Sequence, residues 1–197
     1  MYGMIKFEDF EIRKETKYSK LSYYYENEKV EEYELRKYIK KIYCFECAKK
    51  IFSDYKIESL AFAYSDIVEI HIPENIKIIE KAAFNHCQKL IKVNMTNAIM
   101  NIQNNVFADC EKLKSIELSN NLINIELCTF YNCKDLENII LPESIINISN
   151  SAFSGCKNLK NIIIPENVIN IGSCAFKMCK NLKDVILFLV CCPAADS

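Results

Sequence analysis

The chain has 197 residues, 50% of them hydrophobic, and its 25 basic and 26 acidic side chains leave a formal net charge of −1. This length suffices for one elongated domain with a short additional segment. The near-neutral charge argues against nucleic-acid binding, which needs a basic face that displaces counterions. The 11 cysteines are an odd number, whereas a disulfide framework favours an even one.

Residues 1–56 do not share the pattern of the rest of the chain. A first group of apolar residues alternates imperfectly and predicts a strand; it consists of Ile5, Phe7, Phe10 and Ile12. The tyrosine-rich stretch from Lys20 to Glu28 predicts a loop or a second strand. From about residue 30 to residue 52, apolar residues fall near helical spacing, which predicts a helix. Because the open end of a repeat array must be covered, we expect this helix to be a cap.

Three residue types recur every 23 positions in five copies. They are the phenylalanines Phe84, Phe107, Phe130, Phe153 and Phe176, the cysteines Cys87, Cys110, Cys133, Cys156 and Cys179, and the leucines Leu90, Leu113, Leu136, Leu159 and Leu182. A fixed period of this length is typical of a solenoid in which each copy forms one coil. A shortened first copy precedes them, with Phe62 only 22 residues before Phe84. We expect the cysteine column to be packed in the core as free thiols.

One repeat unit, residues 159–181, reads LKNIIIPENVINIGSCAFKMCKN. Its first six residues predict a strand that points Ile162 and Ile164 inward and Ile163 outward. Pro165 ends this strand because it cannot donate to a ladder. Val168 and Ile171 then predict a second short extended segment, and the residues that close the coil have the spacing of one helical turn; they are Ala175, Phe176 and Cys179. Each coil adds a rung to a parallel sheet at a spacing of about 4.8 Å.

The full unit is C-x-x-L-x-x-I-x-[IL]-P-x-x-[ILV]-x-x-I-x-x-x-A-F-x-x-C, and its most complete copy runs from Cys156 to Cys179. It resembles the BspA-like, treponemal-type leucine-rich repeat over residues 57–190, which leaves a short tail at 191–197. The resemblance implies an α/β-type leucine-rich-repeat solenoid with a parallel sheet on one face, here with the N-terminal helical cap. It also implies a non-catalytic module that recognises proteins, as in cell-surface members of the family that bind host or matrix proteins.

The outward positions of the predicted sheet are the natural binding surface. The central outward column comprises His71, Asn94, Glu117, Ile140, Ile163 and Ile186, and a polar column beside it comprises Glu69, Lys92, Ser115, Asn138, Asn161 and Asp184. A row of exposed isoleucines with a polar border predicts a protein interface. The alternatives are that β-branched residues simply suit a sheet, or that the C-terminal tail covers them.

Two further patterns have weaker implications. Asn101, Asn124, Asn147 and Asn170 form a column that predicts either a hydrogen-bonded ladder or a solvated turn position, and the surrounding pattern slightly favours the turn. Cys44 and Cys47 form a lone C-x-x-C pair, whereas a zinc site needs about four ligands. With two histidines and no nucleophile–base–acid set, we expect no enzyme activity, no cofactor and no metal. The hypothesis that the N-terminal segment is an enzyme is the least favoured.

The sequence leaves the compartment and the partner protein open. The N-terminus has no apolar signal core, and the longest apolar run, Val185 to Cys192, is too short for a helix that crosses about 30 Å. These features predict an intracellular scaffold without a membrane span, whereas the family resemblance implies a surface adhesin-like module. The last strand has no recognisable cap, and an uncovered parallel edge favours self-association.

Overall fold

The computed structural model describes residues 10–15, 20–25, 28–30 and 55–187. In the N-terminal part, three strands form an antiparallel sheet: β1 (Phe10–Glu15), β2 (Lys20–Tyr25) and β3 (Glu28–Val30). The strand predicted near Phe10 is therefore present, and the stretch after Lys20, for which a loop or a strand was predicted, forms a strand. The helix predicted over about residues 30–52 lies outside the described residues except for Val30, which ends β3. No helix occurs in the described ranges, so the helical cap has no support there.

Residues 55–187 form a solenoid with two parallel sheets. The front sheet contains the longer strands β5 (Glu69–His71), β7 (Lys92–Asn94), β9 (Ser115–Glu117), β12 (Asn161–Ile164) and β14 (Asp184–Leu187). The coil between β9 and β12 joins this sheet through single bridges, Glu117 to Ile140 and Asn138 to Asn161. Strand β5 pairs with β7, β7 with β9, and β12 with β14, always in parallel.

The back sheet consists of two-residue strands, one from each coil. They are β4 (Lys56–Ile57), β6 (Ile78–Ile79), β8 (Asn101–Ile102), β10 (Asn124–Ile125), β11 (Asn147–Ile148) and β13 (Asn170–Ile171). They pair in two groups of three, β4–β6–β8 and β10–β11–β13. The second extended segment of the repeat is thus confirmed, and the first coil has the predicted 22-residue offset, since Ile57 pairs with Ile79.

The core lies between the two sheets and consists of the predicted columns. The phenylalanines from Phe62 to Phe153 and the leucines from Leu90 to Leu159 are fully buried. The rings of neighbouring coils stack with centroids 5.0 to 5.7 Å apart and planes within 10° of parallel. This offset stack runs through six coils and ends at Phe176, which is only partly buried.

The cysteine column has a specific role that hydrophobic packing alone does not explain. Each thiol donates to the phenylalanine carbonyl of the preceding coil, with Sγ–O distances of 2.9 to 3.2 Å; the pairs are Cys87–Phe62, Cys110–Phe84, Cys133–Phe107, Cys156–Phe130 and Cys179–Phe153. A buried carbonyl is thereby given a second donor. These five cysteines are free, as the repeat pattern predicts.

The segment that closes each coil is an arc and not the helical turn that the spacing of Ala175, Phe176 and Cys179 predicts. Backbone N–H groups bond alternately within the coil and to the next coil: Asn85 N donates to Ala82 O, whereas His86 N donates to Ala108 O. Two residues per coil have φ between 53 and 82°; they are Leu60, Tyr64, Ala82, His86, Asn105, Asp109, Cys128, Asn132, Ser151, Gly155, Cys174 and Met178. The two left-handed residues of each coil lie four positions apart and exclude an α-helix, in which all N–H groups bond four residues back.

Candidate protein-binding surface

The front sheet brings the predicted binding column together as one row on its outer face. His71 lies opposite Asn94, and Asn94 lies opposite Glu117. The row continues through the bridge from Glu117 to Ile140, and it ends with Ile163 opposite Ile186. The parallel register requires this, because each 23-residue step returns the chain to the same position one rung further on.

The C-terminal half of the row is apolar and open to solvent. Ile140 is 85% exposed, Ile163 49% and Ile186 45%. Because all three are large side chains in neighbouring coils, their exposure forms a continuous patch and not scattered surface residues. The side chains beyond residue 186 lie outside the described residues, so covering by the C-terminal tail stays an untested alternative.

The N-terminal half of the row is polar. Asn94 Nδ2 lies 3.1 Å from each of the two ring nitrogens of His71. The neighbouring column also pairs in register, Glu69 with Lys92 and Asn161 with Asp184, and gives the isoleucine patch a polar border. This combination of an apolar centre and a polar rim is the usual composition of a protein interface.

A groove of about 330 Å³ opens beside Ile140, where the front sheet is held by single bridges. Its walls are mainly apolar and are formed by Ser115, Ile116, Glu117, Leu118, Asn120, Asn138, Ile139, Ile140 and Pro142. The full ladder that would draw these two coils together is absent, so the sheet leaves space between β9 and the following coil. A groove of this kind can accept an apolar side chain of a partner.

The back sheet carries a second exposed apolar row that the sequence reasoning missed. Met100 is 59% exposed, Ile123 45% and Ile169 74%, and Ile146 between the last two is half-buried. The signal was present in the repeat: the position after the inward Val168 reads Lys77, Met100, Ile123, Ile146 and Ile169 in successive coils. Two residues, Ile169 and Asn170, separate the inward positions of Val168 and Ile171. The side chains of these two intervening residues point outward.

The asparagine column next to this row is a hydrogen-bonded ladder, so the interpretation as a solvated turn is wrong for its C-terminal three members. Asn147 Nδ2 donates to Asn124 Oδ1 at 2.8 Å, and Asn170 Nδ2 donates to Asn147 Oδ1 at 2.8 Å. Asn101 begins the column and is exposed. The pairing of β10, β11 and β13 places these amides one rung apart, which is the geometry that a ladder requires.

The perturbed charged groups of the solenoid belong to ion pairs between neighbouring coils. Lys56 Nζ lies 2.7 Å from Glu80 Oε1, and this bond raises the pKa of Lys56 and lowers that of Glu80. Lys160 Nζ lies 2.8 Å from Glu137 Oε2 and lowers the pKa of that carboxyl. The Lys160–Glu137 pair is exposed and stabilises weakly, whereas the side chains of Lys56 and Glu80 are only partly accessible to solvent. Both pairs join coils and are not arranged as a catalytic acid and base.

No cluster of three metal-ligating His, Cys, Asp or Glu side chains is present in the described ranges. Cys44 and Cys47 lie outside those ranges. Within the same part of the chain, no helix has the length and apolar character needed to cross a membrane.

Two parallel sheets joined by arcs, with the same core residues in every coil, define a leucine-rich-repeat solenoid. The family model described as "BspA type Leucine rich repeat region" matches residues 55–185 in six copies. The chain belongs to this family of repeat proteins. No curated protein matches the chain.

Solved structures of bacterial leucine-rich-repeat proteins are similar to this one. A Treponema pallidum leucine-rich-repeat protein has 26% identity and a TM-score of 0.65, with 67% of this chain and 62% of that chain covered. A Bacteroides ovatus leucine-rich-repeat protein has 32% identity and a TM-score of 0.59, over 61% of this chain and 33% of that one. A leucine-rich cell surface protein of Faecalibacterium prausnitzii has 32% identity and a TM-score of 0.60, over 61% and 32%. This chain thus spans only part of each relative.

Proposed function

We propose that the chain is a non-catalytic recognition module that binds a partner protein through the front sheet. The observation that supports this most directly is the row of exposed isoleucines, Ile140, Ile163 and Ile186, beside an apolar groove. Such a patch excludes water well when a complementary surface covers it, and the groove provides an anchor position at its centre. The polar half from His71 to Glu117 would fix the orientation of the partner.

The proposal is tested by replacing Ile140, Ile163 and Ile186 together with serine. We expect this variant to fold, because all three side chains are exposed, and to lose its partners in pull-downs by at least about tenfold, since burying each isoleucine contributes roughly 1.5 kcal/mol or more. Partners are captured with the full chain as bait and identified by mass spectrometry, and affinity is then measured with each purified partner.

The matched control replaces Met100, Ile123 and Ile169 on the back sheet with serine. It removes a similar exposed apolar area from the opposite face. Circular dichroism and thermal melting establish that both variants are folded. If the front-sheet variant keeps every partner of the unaltered chain, the isoleucine row is not the binding site.

The compartment decides between two versions of this function. The surface adhesin-like version is favoured by the family and by the Faecalibacterium relative, whose structure is that of a cell surface protein. The scaffold version would place the same surface inside the cell. Labelling intact cells with a membrane-impermeant reagent separates them: labelled protein supports the adhesin, and protein found only in the cytosolic fraction supports the scaffold.

A second copy of this chain is one partner that the C-terminal edge would suit. Val185 is 44% exposed and Ile171 46%, although both occupy columns that are buried in the preceding coils. A coil of a second copy that stacks against β13 and β14 would cover both side chains. Sedimentation velocity over a concentration series detects such self-association.

A further inference from the structure

A trough of about 720 Å³ runs along the back of the solenoid, between the asparagine ladder and the start of the arcs. It crosses several consecutive coils. Its lining residues are Asn104, Asn124, Glu126, Leu127, Asn147, Ile148, Ser149, Asn150, Asn170, Ile171, Gly172 and Ser173. The trough lies on the opposite sheet from the proposed protein-binding row, and that function does not use it.

The lining of the trough is polar but contains almost no charged side chains. It consists chiefly of side-chain amides and hydroxyls, with Glu126 as its single charged residue and no lysine or arginine. A site without cations is unsuited to phosphates, nucleic acids or acidic polymers, which require them. Amides and hydroxyls both donate and accept, which suits a ligand with many hydroxyl groups.

The amides are held in fixed orientations before any ligand binds. Asn147 donates one N–H to Asn124 and accepts a bond from Asn170. Asn150 Oδ1 accepts a 2.8 Å bond from the backbone N–H of Ser173. Each amide nitrogen has a second N–H, which can be directed at a ligand. Fixed side chains lose little entropy on binding, which favours recognition by hydrogen bonds.

One repeat position in the lining of the trough carries a smaller side chain in each successive coil. This position is Glu126, then Ser149, then Gly172. A Cβ at Gly172 would lie 2.4 Å from Asn150 N, so the backbones of these two coils approach closely there and leave no room for a side chain. Leu127, 40% exposed, and Ile171, 46% exposed, add apolar contacts within the polar lining.

The spacing of the ladder distinguishes between two neutral polymers. Neighbouring coils are about 4.8 Å apart, whereas groups on one side of an extended peptide recur at about 6.6 Å, twice the rise per residue. The groups of a peptide that runs along the ladder would therefore not stay opposite successive amides. A hexopyranose unit of an extended glycan is about as long as one coil is thick. It also presents hydroxyl groups at its edge and C–H groups on its faces, which match the amides and the apolar residues of the trough.

We propose that this trough binds a short stretch of a neutral, linear glycan. The trough is open along one side and spans several coils, so a linear chain of sugar units can lie along it. The ladder of Asn124, Asn147 and Asn170 bonds hydroxyl groups of successive units, and Ser149, Asn150 and Ser173 bond the opposite edge of the glycan.

The test is a titration of the full, isotope-labelled chain with oligosaccharides of glucose, mannose and N-acetylglucosamine, followed by NMR. We expect at least one of them to shift the amide signals of Asn124, Asn147 and Asn170 in a saturable manner. Ser149→Phe fills the trough without touching the ladder and abolishes these shifts, and Asn147→Leu weakens binding by about tenfold through lost hydrogen bonds. A melting curve confirms that each variant is folded.

The front-sheet variant with serine at 140, 163 and 186 is the matched control and binds the glycan unchanged, so this site and the protein-binding row can fail independently. The proposal is overturned if none of the neutral sugars binds, if Ser149→Phe binds as well as the unaltered chain, or if acidic oligosaccharides bind equally tightly. It is equally overturned if extended peptides, and not sugars, shift the ladder signals.

Discussion

Replacing Phe130 by alanine will lower the free energy of unfolding by about 4 kcal/mol. The ring is fully buried and stacks on Phe107 at 5.7 Å and on Phe153 at 5.3 Å. Its removal leaves a cavity between two coils and interrupts the stack on both sides. Each aromatic contact contributes about 0.5–1.5 kcal/mol beyond the burial of area. Urea denaturation followed by circular dichroism measures the loss.

The matched control is Phe176→Ala, at the C-terminal end of the same stack. Phe176 has one stacked neighbour in the described residues and is only partly buried. We expect its loss to be roughly half as large, because less apolar area and one stacking contact disappear. Equal losses at the two positions would show that the stack itself does not determine the stability.

The thiol column makes the chain sensitive to alkali. Burial raises the pKa of the Cys110, Cys133 and Cys156 thiols well above the ordinary value. In the unfolded chain these thiols ionise near about pH 8.5, so above that pH the unfolded state loses protons that the folded state retains. The stabilisation is complete below about pH 8 and falls as the pH rises toward the folded pKa.

At about pH 9.5 each of the three thiols stabilises the folded state by roughly 1 kcal/mol less than at pH 7, so the free energy of unfolding falls by about 3 to 4 kcal/mol in total. Urea denaturation at the two pH values, with a reductant present, measures this difference. Cys133→Ala is less stable at both pH values, since it loses the bond to Phe107 O, but its pH dependence is smaller by about a third. An unchanged pH dependence in Cys133→Ala would exclude the thiol column as the cause of the lower stability at high pH.

The repeat pattern was sufficient to predict the solenoid, its core columns and the outward row of the front sheet. Each of these follows from the 23-residue period, because a position that is buried in one coil is buried in the next. The period also predicted the irregular first coil, in which Ile57 pairs with Ile79. Positions that repeat in sequence therefore repeat in space, and the sequence contains that information directly.

The arcs could not be predicted from spacing. Ala175, Phe176 and Cys179 have the i, i+1, i+4 pattern of a helical turn, yet φ is 58° at Cys174 and 61° at Met178. Left-handed residues are usually glycine or asparagine, and here only Gly155 and two asparagines carry that signal among the twelve positions. Hydrogen bonds to the next coil stabilise this conformation, and those are a property of the stack and not of one segment.

The candidate binding surface was predicted only in part. The isoleucine row follows from strand alternation, but the groove beside Ile140 depends on where the sheet is reduced to single bridges. The asparagine ladder depends on the amide orientations, which composition does not reveal. The trough beside the ladder is lined by residues from several consecutive coils, and it forms only when these coils stack in space.

The shortened first coil identifies the place where this scaffold tolerates changes of length. Phe62 aligns with Phe84 at an offset of 22 residues, and Ser65 contacts Cys87 at the same offset, whereas Ile67 aligns with Leu90 at 23. The missing residue thus falls at the surface corner between the cysteine and leucine columns, and both sheets stay in register around it. The same corner in later coils, between Cys156 and Leu159, is therefore where we expect a one-residue deletion to be tolerated best.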